Sequence, residues 1–108
     1  MSQQTKPRWT AMRTKESRLI EKVLRHAFPN TDAYRYNSAS IRVRVVDSRF
    51  DGKSAEKRDE MIEPHLRKLP KNVQAEIINL LTLSPSELAD SKSPPANAEF
   101  EDPSNSML

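Results

Sequence analysis

The stretch AYRYNSASIRVRVVDSRFDGKS, residues 33 to 54, decides how this chain folds. β-Branched and aromatic residues alternate with polar ones on both sides of a polar turn at residues 37 to 40, the pattern of a β-hairpin. With Tyr36 opposite Ile41, Tyr34 faces Val43 and Arg35 faces Arg42. Tyr34, Tyr36, Ile41, Val43 and Val45 then share one side of the hairpin, and Arg35, Arg42 and Arg44 share the other. The first side is expected to pack and the second to be cationic. Arg35 opposite Arg42 sets like charges face to face, a local cost that a bound anion would relieve. The plainer alternative is that the long arginine stems cover a solvated sheet face.

Outward from the hairpin, Leu19, Ile20, Val23, Leu24 and Ala27 recur at helical spacing. Glu21 and Arg25 form an i,i+4 pair, and Pro29 stops the helix. After the hairpin, Gly52 supplies a turn and Ser54 caps a helix that carries Met61, Ile62, Leu66 and Leu69 on one face. Pro64 inside that helix predicts a kink or break near Glu63. KNVQAEIINLLTLSP, from residue 71, is ambiguous by periodicity, since Val73, Ile77, Leu80 and Leu81 fit a helix and INLLTL a short buried strand; the expectation is a short helix over 71 to 78 and a strand over 79 to 83. The element order is helix, strand, strand, helix, helix, strand. An α+β domain is expected, with three helices on one face of a three-stranded mixed sheet and residues 41 to 46 central or next to the edge.

The 108 residues suit one small domain, expected over residues 10 to 88, and a hydrophobic content of 35% implies a modest core. Without cysteine the chain has no disulfide, thiolate metal site or Cys nucleophile. No apolar run suits a membrane span, and MSQQTKPRW lacks a signal-peptide core, so a soluble cytoplasmic protein with no membrane partner is expected. Charge is uneven: residues 1 to 83 carry 17 Lys and Arg against 10 Asp and Glu, whereas residues 84 to 108 carry Lys92 against five acids. A basic body with an acidic tail suits nucleic acid, an acidic protein surface, or a tail folded back over its own basic patch. The tail holds four of the eight prolines and no periodic apolar pattern. Residues 89 to 108 are therefore expected to be disordered, and residues 1 to 9 likewise.

The window DSRFDGKS does not make a phosphate loop, because Asp47 stands where the first glycine belongs. His26 and His65 lie on different predicted helices and suggest neither a metal site nor an acid–base pair. Trp9, in KPRWT, could dock on the body or stack on a base, and a loosely packed terminal residue is the leading expectation.

IEKVLRHAFP followed by VRVVDSRFDGKSAEKRDEMI, with LSPSE downstream, resembles the BolA family over roughly residues 19 to 88. That family carries an I-E-x-x-L-x-x-A-F helix, a valine-rich strand ending in F-x-G-K-S, an arginine-bearing helix and a T-P-E-E ending. The resemblance implies a class II KH-like fold, αββααβ, in a divergent bacterial branch of the family. It also implies a role in stress-linked transcriptional regulation or in partnership with monothiol glutaredoxins in iron–sulfur handling. Three departures bear on that role. Asp59 follows Arg58 where the family has histidine, the family's C-terminal histidine ligand falls at Glu76 in a gapless alignment or beside Ile77 and Ile78 if that shifts, and the hairpin loop is NSAS, without Cys or His. Neither a metal ligand set nor a cofactor is expected.

The leading expectation is a non-enzymatic binding module, regulatory in the family's sense, that contacts nucleic-acid phosphates through Arg35, Arg42, Arg44, Arg49, Lys53 and Arg58. The alternative is a protein-interaction adaptor of the glutaredoxin-partner kind without its own cluster ligand, meeting an acidic partner. Catalysis lacks a nucleophile and base in a workable constellation, and no small-molecule substrate is inferred. On the nucleic-acid reading, changing Arg42 and Arg44 to Glu would abolish binding and leave the fold intact.

Overall fold

In the computed structural model, which describes residues 6 to 89 and 93 to 106, helix α1 (Lys15–Arg25) begins at a capping box. The Ser17 amide donates to Thr14 Oγ1 at 3.3 Å, and the Thr14 amide donates to Ser17 Oγ at 2.8 Å. Two of the helix's orphan donors are thereby matched locally. Ile20 and Leu24 are fully buried, as their spacing predicts.

Strands β1 (Thr31–Asn37) and β2 (Ser40–Val46) pair antiparallel, and β3 (Ile77–Leu83) pairs parallel to β2, so the order is β1-β2-β3. Residues 41 to 46 thus form the centre of a three-stranded mixed sheet in an α+β domain. Gly52 has a φ of 74°, and Ser54 caps α2 (Ala55–Leu66) by accepting from the Lys57 amide at 3.2 Å. Pro64 does not break α2 near Glu63. It lies within the last turn, where little of the helix remains to be interrupted, and the Arg67 amide still donates to the Glu63 carbonyl at 3.1 Å. Helix α3 (Lys71–Glu76) passes directly into β3.

α1, α2 and α3 share one core with the sheet: Ile20, Leu24, Phe28, Ile41, Val43, Val45, Phe50, Ile62, Leu69 and Val73 form a single buried cluster. The edge strand β1 is closed by Glu21, a buried carboxylate that accepts from the Ala33 amide at 3.0 Å and from Arg13 at 2.9 Å. Arg25 adds the predicted i,i+4 contact at 3.4 Å. An acid on the strand's outer donors both satisfies them and discourages pairing with another chain.

The predicted hairpin register holds only at its turn. Asn37 pairs with Ser40, in the phase expected, but a bulge at Tyr36 shifts the rest by one, so that Arg35 faces Ile41, Tyr34 faces Arg42 and Ala33 faces Val43. A single-residue shift exchanges every side chain between faces. Thr31, Ala33 and Arg35 therefore lie with Ile41, Val43 and Val45 toward the helices, while Tyr34 and Tyr36 lie with Arg42 and Arg44.

That second face is covered, contrary to the expectation of helices on one face and disordered ends. A 3-10 turn (Arg8–Met12) brings Trp9 onto it, 5% exposed. After a short helix α4 (Pro85–Ala89), helix α5 (Pro95–Glu101) brings Phe100 onto it as well. Trp9, Tyr34 and Phe100 form a second buried cluster, with ring centroids 4.8 to 5.9 Å apart. The expectation of disorder fails for residues 6 to 9, 89 and 93 to 106. For residues 1 to 5, 90 to 92, 107 and 108 it lies outside the described residues. Composition missed the cover because two aromatics, one from each end, bury enough surface to offset the ordering of short segments. No helix among the described residues is long and apolar enough to cross a membrane.

Candidate anion-binding face

Alternation along β2 sends Arg42 and Arg44 to the face opposite Ile41 and Val43. Arg42 lies over the Tyr36 ring at 3.6 Å, donates to Tyr34 Oη at 3.2 Å and meets Glu99 Oε2 at 2.7 Å. Arg44 is 7% exposed and reaches three acceptors: Asp32 at 3.0 Å, Asn97 Oδ1 at 2.8 Å and Glu101 at 2.8 Å. Its guanidinium also sits 4.6 Å from the Phe100 ring centroid. Asn97 and Glu101, four apart on α5, reach the same guanidinium from one side of the helix. Two cations of the sheet are thus held by the acids that flank Phe100.

The electrostatics follow from this packing. Hydrogen bonds from the Ser104 hydroxyl, Arg42 and the Ser104 amide hold the Glu99 carboxyl down at about 2. Burial pushes the Tyr34 phenol up, with Arg42 partly opposing. Among the described residues, two buried donors on this face have no acceptor: Trp9 Nε1 and Arg44 Nε.

The other four predicted phosphate contacts lie elsewhere. The bulge carries Arg35 to the helix side, where it bonds Glu76 at 2.9 Å and Glu16 at 3.3 Å. Arg49 pairs with Asp47 at 2.8 Å and lies over Phe28 at 4.4 Å; its hydrogen bonds hold the Asp47 carboxyl below its ordinary value. Arg58 is buried, donating to the Thr82 and Lys53 carbonyls at 2.9 Å and to Glu87 at 2.8 Å. The Ser84 amide and then Arg58 lower the Glu87 carboxyl. Lys53 stays exposed on the Gly52 turn. Of the six, only Arg42 and Arg44 are brought together.

Sequence reasoning missed Asp32, Asn97, Glu99 and Glu101 as partners of these arginines. The signal for them was the charge asymmetry between body and tail, and Phe100 set between two acids. His65 meets Phe28 edge-on at 5.5 Å, and His26 is the C-cap of α1. Among the described residues no group of three His, Asp or Glu side chains is placed to hold a metal ion. Comparison with family models, curated proteins and solved structures finds no match to this chain.

Proposed function

We propose that this chain is a non-enzymatic, BolA-like module of the class II KH-like type that acts as a protein-interaction adaptor in the cytosol. The observation that carries the adaptor reading is that five of the six cations assigned to phosphate are engaged by the chain's own acceptors. With Arg42 and Arg44 held in this way, the sheet arginines offer no free charge among the described residues to a phosphate backbone. The class is supported by the element order αββααβ with β2 central and β3 parallel to it. Residues of the quoted motifs also take definite parts: Glu21 closes the sheet edge, and Gly52 makes its left-handed turn. Glu76, at the family's ligand position, is taken up by Arg35, which suits an adaptor without a cluster ligand of its own.

Affinity capture with the full chain from a native extract, with and without nuclease, tests this reading. A partner retained after nuclease is expected, together with no oligonucleotide binding at low salt. Capture that nuclease abolishes, with oligonucleotide binding by the full chain, would overturn it.

The unmatched Arg44 Nε and Trp9 Nε1 favour a second reading, in which Glu99 and Glu101 stand in for phosphates and a nucleic acid displaces α5. On that reading, a chain ending at residue 89 binds oligonucleotides, with affinity falling about one log unit per log unit of salt for each phosphate contact. Absence of binding by the shortened, folded chain removes it.

A further inference from the structure

Away from the sheet arginines, α1 and the start of α3 enclose a groove of about 450 Å³. Its lining combines an apolar floor of Leu19, Pro70 and Val73 with Lys15, Arg18 and Lys22 along α1. Those three cations are exposed, and none forms an ion pair among the described residues. They differ in this from the arginines of β2, which the chain's own carboxylates hold. Glu16, the one acid in the lining, is turned to Arg35 at 3.3 Å and so is partly neutralised.

Resting on the adaptor reading, we propose that this groove docks an acidic amphipathic helix of a partner protein. Charge complementarity commits the occupant. Positions 15, 18 and 22 lie on one side of α1 and span about 10 Å at about 1.5 Å per residue, two helical turns. Carboxylates spaced i, i+3 or i+4 and i+7 on a partner helix match that span, and the leucines between them would meet Leu19 and Val73. The lining contains no aromatic side chain on which a base could stack, so a protein helix fits it better than a single-stranded nucleic acid. The groove takes two or three partner side chains, which fits a modest, salt-sensitive affinity carried by rim charges over a small apolar anchor.

The test uses the full chain, isotope-labelled, titrated with a synthetic amphipathic helix bearing a stripe of Glu beside a stripe of Leu on the same side, and with the same helix carrying Lys in place of Glu. Amide shifts at residues 15 to 22 and 70 to 73 are expected with the Glu peptide alone, weakening as salt rises. Arg18→Glu with Lys22→Glu should weaken binding by about tenfold and leave the rest of the spectrum in place, since both side chains are exposed. Leu19→Gln, judged folded by its own spectrum, should weaken it further. The proposal is overturned by shifts confined to the sheet face, by equal binding of the Lys peptide, by unchanged affinity of the charge-reversed variant, or by no binding at all. It is also overturned if an oligonucleotide, or a second copy of the chain at raised concentration, perturbs the same residues in place of the peptide. A nuclease-resistant partner captured equally by the charge-reversed variant would sink the groove and leave the adaptor reading standing.

Discussion

Arg42 and Glu99 meet at 2.7 Å across 57 positions of sequence, joining the central strand to a helix that begins beyond the last strand. The pair matters because it closes a sheet face that would otherwise be cationic, and because Glu99 is also the acceptor for Ser104. It therefore fixes both the helix and the chain that follows it.

The pH dependence of that closure has a definite sign. Glu99 is held at about 2, chiefly by Ser104 and then Arg42, below the ordinary carboxylate value of 4.5. A carboxylate with a depressed folded-state pKa stabilises fully above its unfolded value and loses that contribution as pH falls through the folded one. Docking of α5 should thus be constant above about pH 4.5 and weaken between there and about pH 2. Trp9, the single tryptophan, lies 5.4 Å from Phe100 and reports it by emission. A transition near pH 6 to 7 would contradict the assignment.

Phe100→Ala should undock α5 at neutral pH. Removing a buried phenylalanine costs about 3 to 5 kcal/mol, with the low end expected for a short covering helix. The measurable result is a red shift of Trp9 emission with the helix-side core still protected from hydrogen exchange. Unchanged emission would mean that α5 is held by its ion pairs alone.

Arg44→Glu should destabilise the chain strongly, in contrast to the sequence expectation that this face tolerates charge reversal. The substitution sets a buried carboxylate beside Asp32 and Glu101, and breaking a buried pair in this way costs about 3 to 5 kcal/mol. Urea denaturation checks it. A loss within about 0.5 kcal/mol, as for an ordinary surface site, would return Arg44 to the role of a solvated side chain.

Glu21→Ala should cost about 2 kcal/mol, because it strands the Ala33 amide donor, and Glu21→Gln should cost less, because an amide oxygen still accepts that bond. Urea midpoints of the two variants against the parent give the comparison. Equal losses would show that charge toward Arg13 and Arg25 outweighs the strand contact.

Local periodicity determined most of the element order: the apolar spacing of α1, the Ser54 cap, the Gly52 turn and the alternation of β2 are properties of neighbours in sequence, and each is found where it was expected. The parallel pairing that makes β2 central rests on the third strand, which begins two residues earlier than its apolar run suggested. Two things were decided only by tertiary structure. One is the face of each β1 residue, since one bulge at Tyr36 inverts the whole strand and alternation is blind to a single inserted residue. The other is the fate of the arginines. Their number and charge are legible in the sequence, but whether they meet solvent or the chain's own acids depends on Trp9 and Phe100 closing over Tyr34. That contact joins the two ends of the chain, and no local pattern records it, because its stabilisation arises from surfaces that come together only once the sheet exists.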